Sequence, residues 1–102
     1  MFWKTDQPHG LPRNPFKSCI IPRPIGWIST LDKNGGVNLA PYSYFNGVSD
    51  DPPMVMFASG SRDATNPKDT IANAEATGEF DCSMVSWDMR DVMHTTSAEV
   101  AP

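Results

Sequence analysis

Residues 24–46 read "PIGWISTLDKNGGVNLAPYSYFN". Pro24–Leu31 alternates, with Ile25, Trp27 and Leu31 on one face, which predicts a strand. Asp32–Gly36 is turn chemistry, because Asn34 and Gly35 tolerate the positive φ that tight hairpins need. Asn38–Asn46 then returns as the second strand of a hairpin. Tyr42, Tyr44 and Phe45 suit a pleated, half-buried surface. Pro41 cannot donate a ladder hydrogen bond, so it pushes this strand to a sheet edge or into a bulge. Asn38, Ser43 and Asn46 interleave polar groups with the aromatic ones.

Downstream, Asp50–Pro53 breaks the strand and Met54–Ser59 begins another. That run is apolar on both faces, the pattern of a strand central in its sheet. Gly60–Pro67 is a loop. A helix follows, with Asn66 as cap, Pro67 at its first position, Asp69 closing a capping box and Gly78 ending it. Glu79–Ser86 alternates as a fourth strand, and Ser86 caps a last helix from Trp87 to about Thr95. Residues 1–23, punctuated by Pro8, Gly10, Pro12, Pro15 and Pro22, read as an extended N-terminal arm that wraps the domain formed by residues 24–102. This order is mainly β with peripheral helices, in a mostly antiparallel sheet. Four strands are few for a closed barrel. The chain therefore reads as part of a longer protein or as one completed by a partner.

At 102 residues the chain suits one domain with a modest core. A net charge of −4 with dispersed basic residues argues against a nucleic-acid surface. The start, "MFWKTDQPHG", lacks the basic and apolar regions of a signal peptide, and no apolar run is long enough to span a bilayer. A cytoplasmic location without membrane partners is the expectation. Cys19 and Cys82 lack CxxC spacing and read as reduced, buried thiols in such a protein. His9 and His94 are assigned no catalytic role. No nucleophilic triad, paired carboxylate site or metal-ligand spacing stands out, so neither catalytic nor metal residues are assigned.

"HGLPRNPFK", "PRPIGWISTLDKNGGVNLAPYSYFNGVSDDPPMVMFAS" and "KDTIANAEATGEF" resemble the N-terminal half of the flavin reductase-like, FMN-binding split-barrel family, from about His9 to Ser97. The resemblance implies a six-stranded Greek-key barrel that pairs into homodimers, with FMN at or near the subunit interface. Members are close to twice this length, so the barrel is incomplete in this chain. Two departures stand out. "GSRDATNP" is longer than the usual loop before "KDT", and Arg13 stands where many members have His.

FMN has a flat apolar ring with polar edges, a ribityl chain and a dianionic phosphate. With that ligand in view, Pro41 frees backbone groups beside Ala40 for the flavin rim, and Asn38, Ser43 and Asn46 serve the ribityl and ring edges. Tyr42, Tyr44 and Phe45 build the apolar wall, with core packing equally open for each. The resemblance points to Lys68 and Thr70 for the phosphate, and a helix N-terminus suits an anion there. Asp69 is a capping carboxylate, since its charge would repel phosphate. Ser29 and Thr30 are further hydroxyl candidates, and Ser61 and Arg62 are weaker ones.

The expected activity is an FMN-dependent oxidoreductase, with FAD as the alternative flavin, taking hydride from the nicotinamide C4 of NADH or NADPH to flavin N5. The competing readings are a non-enzymatic FMN-binding electron carrier or store and an inactive apo fragment. The cofactor carries the hydride chemistry in the first two, while protein residues bind and orient it.

Overall fold

The structure, a computed structural model, describes residues 2–61, 63 and 65–98. Its frame is the hairpin of β1 (Gly26–Leu31) and β2 (Val37–Tyr42), antiparallel and in unbroken register from Gly26 opposite Tyr42 to Leu31 opposite Val37. The connecting turn is held by Asp32, whose Oδ1 accepts from the backbone N–H of Asn34 and Gly36. Gly35 takes the positive φ of +84° there, while Asn34 does not.

The aromatic stretch after β2 is two strands rather than one. A bend at Ser43 and Tyr44 ends β2, and β3 (Phe45–Ser49) leaves for a second sheet, where it pairs antiparallel with β4 (Met54–Phe57). The first sheet has the order β2-β1-β5, with the short β5 (Asp81–Ser83) antiparallel to β1. Pro41 thus lies in an edge strand, with no bulge beside it. Ser43 accepts from Arg23 Nε at 3.1 Å, and Arg23 Nη1 donates to the carbonyls of Lys17 and Ile20. The same guanidinium lies 5.3 Å over the Tyr44 ring. Arg23 therefore fastens the N-terminal arm to the bend. Within that arm, Asn14 caps a short helix α1 (Pro15–Cys19), so the segment is not wholly extended.

The buried centre is Ile28, Trp27 and Tyr42, with Thr30 and Thr70 as buried polar residues. Alternation alone placed one β1 face inward, but Trp27 and Ile28 point to opposite faces and both are covered, whereas Leu31 is exposed. Burying a side chain such as Ile28 contributes about 1.5–3 kcal/mol. Tyr42 meets Phe57 at 5.1 Å between ring centroids, and Phe57 meets Phe80 edge-on at 5.0 Å, joining the two sheets.

Helix α2 (Asp69–Thr77) ends at Gly78 with φ +80°, but its N-cap is Lys68 rather than Asn66. Asn66 and Thr65 instead donate to the Asp63 carboxylate, and these bonds, led by the Thr65 backbone N–H, hold Asp63 down at about 2. A 3₁₀ turn (Trp87–Met89) leads into α3 (Arg90–Thr95).

Two further expectations are corrected. Among the described residues β4 pairs only with β3, and Met54, Val55 and Met56 remain 52%, 49% and 49% exposed, so it is not a central strand here. Its apolar pattern exceeds what a two-stranded sheet can cover. Cys19 and Cys82 are exposed free thiols, not buried ones, because α1 and β5 both lie at the surface.

Gly26 is required by the crossing of the two sheets. A Cβ there would stand 2.5 Å from Phe45 Cδ2 and 2.7 Å from its Cγ. Gly26→Ala is expected to cost about 1–3 kcal/mol through overpacking, measured by urea denaturation. An unchanged midpoint would show that Phe45 moves aside freely.

Candidate functional site

β1 and β2 place Thr30 directly opposite Asn38, so both side chains stand on one face of the sheet. α2 carries Thr70 and Asn73 one turn apart, hence on one face of the helix. These pairs meet. Asn38 Nδ2 donates to Thr70 Oγ1 at 2.8 Å, and Asn73 Nδ2 donates to Thr30 Oγ1 at 3.2 Å. Thr70 is 1% exposed and Thr30 3%, so both hydroxyls are buried, while their partners Asn38 and Asn73 remain partly exposed.

This docking brings the start of α2 to the edge strand. A cleft of about 340 Å³ is lined by all six residues of β2, by Lys68, Asp69 and Thr70, and by the end of α3 from Thr95 to Ala98. Successive strand residues point to opposite faces. A cleft touching every one of them therefore runs along the strand's edge, not over one face. Its volume lies near the lower end of small-molecule sites, roughly 300–1,000 Å³. Lys68 is partly buried there, and its ammonium makes no ion pair among the described residues.

Of the residues nominated from the sequence, Asn38, Ala40, Pro41, Tyr42, Lys68 and Thr70 line this cleft. Ser29 and Thr30 line a second cleft of about 360 Å³, with Leu31, Val37, Glu79, Phe80 and Asp81. Ser43 is engaged by Arg23, and Asn46 lies exposed in β3 opposite Met56. Tyr44 packs under Arg23, and Phe45 against Gly26. Ser61 is exposed outside the cleft, and Arg62 falls outside the described residues.

Sequence reasoning missed Asn73, which orients α2, and the hydroxyl-bearing Thr95, Thr96 and Ser97, which form the cleft's far wall. The i, i+3 spacing of Thr70 and Asn73 was available as a signal; for residues 95–97 there was none. Among the described residues there is no cluster of His, Cys, Asp and Glu able to hold a metal, and no helix long and apolar enough to cross a membrane.

Comparison with known proteins agrees with this architecture. A family model described as "Flavin reductase like domain" matches residues 17–102. An uncharacterized protein of Aquifex aeolicus is 45% identical over 83 residues, covering 81% of this chain and 42% of that protein. Nitrilotriacetate monooxygenase component B from Bacillus cereus superposes with a TM-score of 0.77 at 33% identity, over 89% of this chain and 48% of that one. The 2-nitrobenzoate 2-nitroreductase of Pseudomonas fluorescens gives a TM-score of 0.73 at 29% identity, over 83% and 40%. The chain spans less than half the length of each of these.

Asn38→Ala removes the donor to a buried hydroxyl. It is expected to destabilise the fold by about 1–3 kcal/mol, read from chemical denaturation, with loss of slow amide exchange in the first turn of α2. Retained stability and protection would mean that the Asn38–Thr70 bond does not anchor the helix.

Proposed function

The chain belongs to the flavin reductase-like family, and from that premise we propose that it supplies FMN-binding elements of an oxidoreductase that draws hydride from NADH or NADPH. The observation that carries this reading is the β2 cleft, an open strand edge with an uncommitted lysine at one end and the segment Thr95–Ala98 as its far wall. The donor set fits the ligand. Lys68, next to the N-terminus of α2, would hold the phosphate as a point charge supported by the helix dipole. Thr70 is engaged by Asn38 but keeps its hydroxyl proton for donation. The backbone groups around Ala40 and Pro41 would meet the polar rim of the ring, and Tyr42 would close the apolar side.

Bound FMN supplies two-electron hydride chemistry, for which the protein need provide no acid, base or nucleophile of its own. The residues of this chain bind the cofactor, orient it and keep one strand edge available to it. Two structural neighbours, a monooxygenase component and a nitroreductase, are redox proteins, which supports the reading. A homodimer in the cytoplasm belongs to the same proposal. Val48, Met54, Val55 and Met56 give the β3–β4 sheet an apolar surface that a second subunit could cover.

The test is spectroscopic. Chain loaded with FMN should show flavin absorbance that bleaches anaerobically with NADH or NADPH. Bleaching by dithionite alone would favour an electron carrier, and absence of FMN binding would refute the site. Lys68→Ala removes a charge-assisted contact worth about 1.5–3 kcal/mol. FMN titration should therefore show a dissociation constant raised roughly 10- to 150-fold; an unchanged constant would take the phosphate away from α2.

A further inference from the structure

Trp27 stands in β1 opposite Pro41, on the sheet face turned away from Ile28 and Thr30, yet it is only 6% exposed. The segment ending α3 is what lies beside it. The indole Nε1–H donates to Thr96 Oγ1 at 2.9 Å, across 69 positions of chain. Thr96 Oγ1 in turn donates to the Met93 carbonyl at 2.7 Å, so one hydroxyl accepts from the sheet and donates to the helix. The oxygens of Thr95 and Ser97 are turned to their own helix, donating to the carbonyls of Asp91 and His94. Among the described residues, the bond from Trp27 is the only side-chain hydrogen bond that ties residues 90–98 to the sheet.

α3 has six residues, too few to be stable unless docked. Its end nevertheless forms the wall of the β2 cleft that faces the start of α2. We infer that the Trp27–Thr96 bond is a latch that fixes this wall, making Thr96 a positioning residue for the flavin site; this rests on the flavin reading proposed above. Indole is a donor with a single N–H, and a threonine hydroxyl can accept and donate at once. Valine at 96 keeps the shape and loses both bonds. Serine keeps the oxygen that makes them. The latch thus acts on binding through the placement of Thr95–Ala98 and not through contact by the indole itself, which does not line the cleft.

The experiment compares the full chain with Thr96→Val, Thr96→Ser, Trp27→Phe and the Thr96→Val/Trp27→Phe double variant. FMN dissociation constants come from quenching of flavin fluorescence, and apo-protein melting temperatures from circular dichroism. Thr96→Val and Trp27→Phe should each weaken binding roughly three- to tenfold, the effect of losing the Trp27–Thr96 hydrogen bond that both variants share. Thr96→Ser should bind as the unmutated chain does, and the double variant should bind no worse than the weaker single one. A lowered melting temperature with unchanged binding in Thr96→Val would overturn the positioning role and leave a structural one. Independent, additive losses would also overturn it, since the two residues would then act separately. If the unmutated chain fails to bind FMN, the flavin reading falls and the positioning role falls with it, whereas unchanged binding in Thr96→Val removes the latch alone.

Discussion

Four polar side chains decide where α2, and with it Lys68, can sit. Thr30 and Asn38 face each other across β1 and β2, Thr70 and Asn73 lie one turn apart on α2, and two hydrogen bonds join the pairs. An apolar contact would let the helix slide along the sheet at little cost. Hydrogen bonds to buried hydroxyls do not, because a slip of one residue leaves donors and acceptors unmatched in a site away from water. α2 presents few large apolar residues, Ile71 being the largest, so its docking depends on these bonds more than on area. The register of the hairpin therefore sets the register of the helix, and the helix sets the position of Lys68.

Pro41 complements that arrangement. An edge strand normally offers its free N–H and C=O groups to any passing strand, which is an aggregation hazard. In β2 a proline interrupts the row of donors, and the cleft between α2 and the end of α3 shields the rest. The edge is consequently open to a small ligand while being a poor template for another strand. Arg23 closes the remaining freedom by bonding to Ser43 at the point where the chain leaves one sheet for the other.

Local chemistry was legible in the sequence, and long-range pairing was not. The hairpin could be read because Asp32–Gly36 carries its own turn signal, and the end of α2 because Gly78 supplies a left-handed cap. Both features depend on residues adjacent in the chain. The start of α2 was misplaced because Asn66, a good cap in isolation, is captured by Asp63 three residues earlier. α1 was missed although Asn14-Pro15 is a cap followed by a first-turn proline, since prolines on either side suggested an extended arm. The aromatic stretch reads as one strand because no glycine marks the bend at Ser43 and Tyr44; the bend is maintained by Arg23, which lies 20 positions away. For the site, β2 and the start of α2 could be nominated from composition and resemblance. The wall from Thr95 to Ala98 could not, because it is placed there by an indole in β1.

These dependencies bear on how an anion would be held. The chain carries a net charge of −4, so its long-range field opposes a dianionic phosphate. Attraction must then arise at short range, where burial strengthens one ion contact and screening by salt matters less. Lys68, partly exposed at the start of α2, would meet that requirement only if the helix keeps its place. The hydrogen bonds that join Thr70 and Asn73 to the hairpin carry no charge, yet they set where the lysine proposed to hold the phosphate would stand. In a chain whose overall electrostatics are unfavourable, the precision of these neutral contacts would decide whether the proposed lysine contact can act.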